Sequence, residues 1–117
     1  MRYLITIALS FIVFSVFAQQ EIKLDEIKDH IGDSVIIKAK IYGGKYLENV
    51  KGAPTFLNVG GNYPNAPLTL VIWENTRPKF ESMPEDFYTN KDVVITGKII
   101  LYKNRAEIVI TDPKQIE

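Results

Sequence analysis

The sequence predicts an all-β domain with short helices, its five strands closing as a Greek-key barrel. Three observations predict it. Two long alternating segments, 35–42 and 91–102, carry the same pattern 58 residues apart, each with a tiny residue at its centre. Between them lie a basic, glycine-bearing loop, two shorter strands and a proline-punctuated break. The chain has 117 residues and no cysteine, so its fold must rest on a hydrophobic core without disulfides. Closing a sheet on itself is an efficient way to build one at this size.

The first eighteen residues read as a secretory signal peptide. Met1-Arg2-Tyr3 is a short basic start, and Leu4 to Phe17 is apolar apart from Thr6, Ser10 and Ser15. Val16 and Ala18 place small residues three before and one before a cut, followed by Gln19-Gln20. The apolar run is too short for a comfortable membrane span, and an uncleaved anchor is the alternative. A lipoprotein signal needs a cysteine and is excluded. The expected organisation is therefore 1–18 leader and 19–117 domain, with a periplasmic or secreted location. The full chain has 14 basic and 14 acidic residues; without Arg2 the balance is 13 to 14, a net charge of −1. Such a balance argues against a strong non-specific polyanion binder, a role that only a local basic patch would rescue.

Within 19–117, Leu24 to Ile31 predicts a short helix with Asp25 as N-cap, Ile27 and Ile31 on one face, and Gly32 as the stop. In the first strand Val35, Ile37, Ala39 and Ile41 alternate with Ile36, Lys38, Lys40 and Tyr42, one face buried. Gly43-Gly44 permits a bulge or sharp bend. Thr55 to Val59 is the second strand and Leu68 to Trp73 the third, joined through Gly60 to Asn65. Pro64 and Pro67 bracket strand ends because they cannot donate ladder hydrogen bonds. Both faces of the third strand are apolar, so alternation does not say which side meets the core. From Arg77 to Tyr88 the alternation breaks. Pro78 fits the first turn of a short helix, Pro84 ends it or starts another turn, and Phe80, Met83 and Phe87 are spaced to plug an open barrel end. In the fourth strand Val93, Ile95, Gly97 and Ile99 match Val35, Ile37, Ala39 and Ile41, a pattern that lets both long strands coil sharply. Lys103-Asn104 is a tight turn and Ala106 to Thr111 the last strand.

Coiled first and fourth strands with a helix between the third and fourth make the five-stranded Greek-key barrel known as the OB-fold. Six segments carry a closer resemblance: Ile31-Gly32…Val35, Lys45-Tyr46-Leu47, Gly52-Ala53-Pro54-Thr55-Phe56-Leu57-Asn58, Val71-Ile72-Trp73, Thr96-Gly97-Lys98-Ile99 and Ile110-Thr111-Asp112-Pro113…Ile116. In order and spacing they resemble small exported bacterial OB-fold domains of the anticodon-binding-like (tRNA-anti-like) group. The resemblance implies a module that binds single-stranded nucleic acid.

Catalytic chemistry finds little support. His30, the one histidine, lies beside Asp29, and Ser34 has no glycine-rich nucleophile turn around it. Glu85-Asp86 reads as a solvated loop because adjacent carboxylates make a poor acid–base couple. No His, Cys or acidic spacing suits a metal, and no glycine pattern suits a phosphate cradle. The expectation is a non-enzyme with no cofactor. Binding fares better, since OB-folds take ligands on the face of their second and third strands, walled by the first and last loops. The candidate ligand-binding residues are Lys45, Tyr46 and Lys51 in the first loop, Asn58 on the second strand and Tyr63 in the following turn. Trp73 on the third strand and Lys103 and Arg105 at the last loop complete them. Aromatic faces for bases and cations for phosphates are what a single-strand binder needs. Trp73 also suits a core or rim role, and Lys38, Lys40 and Lys98 suit solubility. The phenylalanine, leucine and valine positions between Lys45 and Trp73 are assigned to barrel closure. The alternative partner is an envelope protein or an oligosaccharide, with no nucleic-acid role.

Overall fold

The computed structural model describes residues 19–117, and the leader expected over 1–18 lies outside them. Among the described residues six strands form one continuous sheet: β1 (Gln20–Ile22), β2 (Ser34–Tyr46), β3 (Thr55–Val59), β4 (Leu68–Ile72), β5 (Asp92–Tyr102) and β6 (Arg105–Val109). They run in the order β1-β2-β3-β4-β6-β5, and β5 pairs back to β2, which closes the barrel. The five expected strands are β2 to β6. The β4–β6 pairing is parallel, and the β2–β3, β3–β4, β5–β6 and β2–β5 pairings are antiparallel. This is the all-β, five-stranded barrel the sequence predicts, with one strand added. β1 pairs in parallel with Val35–Ile37 and takes the edge of β2 that β3 does not reach. Three residues are too few to show a period, so no local pattern marks it.

Both long strands serve two neighbours. β2 pairs with β5 from Ser34 to Lys40, then with β3 from Ile41 onward, with a register shift between Ile41 and Gly43. β5 pairs with β2 as far as Lys98 and with β6 from Ile99. The bend in β2 thus falls at Gly43 rather than at Ala39. Gly97 does sit at the handover in β5, and its reason is close packing. A Cβ there would lie 2.5 Å from Ile108 Cγ2, so β6 approaches only because none is present.

Alternation settles the interior. Val35, Ile37, Ile41, Leu57, Val59, Leu68, Leu70, Ile72, Ile95, Ile99 and Ile108 are fully buried in one cluster. Each contributes about 1.5–3 kcal/mol relative to exposure. The inward side of β4 is therefore Leu68, Leu70 and Ile72, the choice its sequence left open.

The barrel ends are covered differently from expectation. Leu24–Asp29 is a 3-10 helix, with the Glu26 carboxylate accepting from the Lys23 N–H at 3.2 Å. Asp25 lies inside it rather than at its cap, and Ile31 lies beyond it and is exposed. Three residues per turn eclipse positions three apart, so Leu24 and Ile27 face the core instead of Ile27 and Ile31. At the other end Arg77–Lys79 is a 3-10 turn and Pro84–Phe87 a single helical turn, α1. Pro84 thus starts a turn. Of the three expected plugs only Phe80 packs on the core; Met83 and Phe87 are exposed. Tyr88 fills the end instead, edge-on to Phe80 and Phe87 with centroids 6.2 and 4.9 Å away. Asp112 caps Pro113–Gln115, and Ile116 then bridges to Ile95.

Candidate functional site

Residues paired across a sheet share a face. With the inward set fixed, the register lays out the outer surface of β3, β4 and β6. One row is Lys45, Phe56, Val71 and Val109. The next is Gly43, Asn58, Thr69, Glu107 and Ile100. Rows two residues apart lie about 6.7 Å from each other, and neighbouring strands about 4.8 Å. Val71 is almost fully covered between Phe56 and Val109, so the centre of the face is apolar.

Aromatic and cationic groups sit at both ends of this surface. At one end Tyr102 pairs with Arg105, and the Arg105 guanidinium lies 5.7 Å from the ring centroid of Tyr63, which is 71% exposed. Lys103 and Asn104 form the two-residue turn beside them, both at positive φ (47° and 65°), as a primed hairpin turn requires. The Lys103 ammonium lies 5.5 Å over the Tyr102 ring. At the other end Trp73 directly follows β4, where continuing its alternation puts it on the side of Thr69 and Val71, and it is 42% exposed. Its ring lies on Gly52, whose φ is +81°; a Cβ there would come within 3.0 Å of two ring carbons. Lys51 is exposed in that same loop.

Of the residues marked in the sequence, Lys45, Asn58, Tyr63, Trp73 and Arg105 therefore share or border one surface. The cations of the first and last loops do not come together as two walls of one site. Lys51 and Lys103 stand at opposite ends of β4, whose five residues span about 16 Å. Tyr46 leaves the set. It ends β2 paired with Thr55, and the Arg77 guanidinium stacks on its ring at 3.7 Å. The guanidinium forks onto Glu85 at 2.7 and 2.8 Å and donates to Thr55 Oγ1 at 2.6 Å. Glu85 is thus no solvated loop residue. The Arg77 hydrogen bonds hold its carboxyl below the usual carboxylate range, and Glu85 in turn raises Arg77. His30 Nδ1 lies 3.1 Å from Asp33 Oδ2, just ahead of β2.

Sequence reasoning missed Phe56, Thr69, Val71 and Glu107. Phe56 was assigned to closure, yet it faces outward while Leu57 faces in. Counting alternation from Leu57 and Val59 marks it. Glu107 reaches the face only through the parallel β4–β6 pairing, which leaves no local signal. Burial pushes its carboxyl up, partly offset by the charge of Arg105. A groove of about 740 Å³ continues from the Arg105 end, its walls Leu24, Ile27, Pro67 and Leu101 with Asp25 and Lys28 among them. Among the described residues no helix is long and apolar enough to cross a membrane.

No protein-family profile and no curated protein matches this chain. Among solved structures it is similar to a chain assigned as an aspartyl-tRNA synthetase from Leishmania major Friedlin, with a TM-score of 0.50 and 10% identity. The match covers 81% of this chain and 20% of that one. At that identity the likeness is one of fold, a barrel of this architecture as one part of a longer chain.

Proposed function

We propose that this chain is a non-catalytic module binding single-stranded nucleic acid along the outer face of β3, β4 and β6. The carrying observation is the spread of Tyr63, Phe56 and Trp73 along one surface with Arg105 and Lys45 among them. Bases stack on aromatic faces without regard to sequence, and flanking cations hold the phosphates. The resemblance of the sequence to exported anticodon-binding-like domains supports the same reading. So does a shared fold with a protein named for tRNA. From residues 1–18 we propose export, with the module acting in the periplasm or outside the cell.

Trp73 is the single tryptophan, so its emission reports on the site directly. Titration with short oligonucleotides at low salt is expected to quench it and to give salt-sensitive affinity. Lys51→Ala, Lys103→Ala and Arg105→Ala each weaken binding several-fold, and Trp73→Ala about tenfold, the lower range of one lost stacking contact. No binding of any oligonucleotide at low salt would overturn the proposal. Glu107 favours one second reading. A carboxylate at the centre of the face repels phosphate but accepts well from sugar hydroxyls, so an oligosaccharide is the other ligand class for this surface. Salt-insensitive binding of a glycan, with none of nucleic acid, selects it.

A further inference from the structure

We propose that the row Asn58, Thr69 and Glu107 selects guanine among the bases laid along this face. The Glu107 carboxylate accepts from guanine N1–H and the N2 amino group, while Thr69 or Asn58 donates to O6. The inference rests on the nucleic-acid reading above and takes it from ligand class to base identity.

Three placements carry it. The register puts three polar side chains in line across β3, β4 and β6. The adjoining row is Phe56, Val71 and Val109, so a base lying on those apolar groups has its edge directed at the polar row. The spacing of neighbouring strands, about 4.8 Å, is the scale of a purine's Watson–Crick edge. Glu107 is half-buried, and among the described residues no cation comes within ion-pair distance of it. Burial disfavours its charge, so a matched donor pair there is worth more than in water.

An ionised carboxylate only accepts, and it does so best from two parallel donors. Guanine is the base whose Watson–Crick edge offers two adjacent donors. Cytosine and adenine offer an amino group beside a ring nitrogen that repels the second oxygen. Uracil offers one N–H between two carbonyls. The flanking hydroxyl and amide then meet the O6 that remains on guanine, so the whole edge is matched. Single-stranded ligands expose these edges for reading in this way.

The test uses the full chain with labelled pentanucleotides of uridine carrying guanine, inosine, adenine, cytosine or uracil at the centre. Anisotropy and Trp73 quenching are read at low salt. The guanine pentamer is expected to bind about tenfold more tightly than the uracil pentamer, the worth of one hydrogen bond to a charged group. Inosine, which lacks the N2 amino group, falls back towards uracil. Glu107→Gln brings the guanine and uracil pentamers to equal affinity, the uracil pentamer binding no more weakly than to the wild type because a charge that repels phosphate is gone. Thr69→Val narrows the preference with melting unchanged, which separates reading from folding. Equal binding of all five pentamers, or a guanine preference that survives Glu107→Gln, overturns the inference and leaves the single-strand reading standing. Failure of every pentamer to bind overturns both.

Discussion

Glu107 and Gly52 show how single positions here answer to different demands. Glu107 is an acidic residue in a polar row between apolar and basic groups, and its folded pKa is raised by burial. A carboxyl raised in this way disfavours folding when ionised, and the penalty disappears as pH falls through the folded value. At neutral pH, Glu107→Gln is therefore expected to leave stability unchanged or raise it by up to about 0.5 kcal/mol, read from the urea midpoint. Gly52 has the opposite character. Its positive φ and the Trp73 ring against it leave no room for a side chain. Gly52→Ala is expected to cost about 1 kcal/mol and to shift Trp73 emission, since the ring must move. An unshifted spectrum would separate that loop from the Trp73 platform.

At the scale of elements, the segment between β4 and β5 is held by Tyr88 and Phe80 on the core and by a charged fork. Arg77 joins Glu85, Thr55 and the Tyr46 ring, with the side chains of Arg77 and Glu85 only 16% and 13% exposed. Removing one partner leaves the other charge with no counterpart, so Arg77→Met is expected to cost about 3 kcal/mol in denaturant unfolding. The folded pKa of Glu85 is lowered, so its stabilisation is complete above the ordinary glutamate value. It is lost as pH falls through the depressed one. The wild-type chain should lose stability over that acidic window, and Arg77→Met should lose less. An identical acid profile for both would remove the fork as its cause. The sequence read Glu85 as part of a solvated loop and did not pair it with Arg77, because the two lie 8 positions apart with turns between them. Tyr46 was misplaced for the same reason, its partner lying 31 positions away.

Over the whole molecule, closure and charge distribution set the remaining expectations. β6 seats against β5 only because Gly97 carries no Cβ, so Gly97→Ala must displace Ile108 from a fully buried position. A loss of about 1–3 kcal/mol is expected by thermal or urea unfolding, the usual cost of overpacking. The cations of the face lie at its two ends rather than in one cluster, and they number four: Lys45, Lys51, Lys103 and Arg105. With about 0.7 counterions released per neutralised phosphate of a single strand, log affinity against log salt is expected to fall with a slope no steeper than about −3. A much steeper slope would mean that Lys38, Lys40 or Lys98 also takes part.

Period-two alternation, the glycine and proline punctuation and the repeated pattern of the two long strands determined the barrel from sequence alone, because strand burial is written residue by residue. The same signals placed Asn58, Tyr63 and Arg105 near one another through loops and strand order. Only the tertiary structure decided which side of β4 faces the core, since both of its sides are apolar and hydrophobicity does not choose between them. The parallel β4–β6 register likewise brought Glu107 beside Thr69, and the fork of Arg77 withdrew Tyr46 from the face. Pairings of that kind join residues far apart in the chain, and their energy lies in contacts that no local pattern encodes.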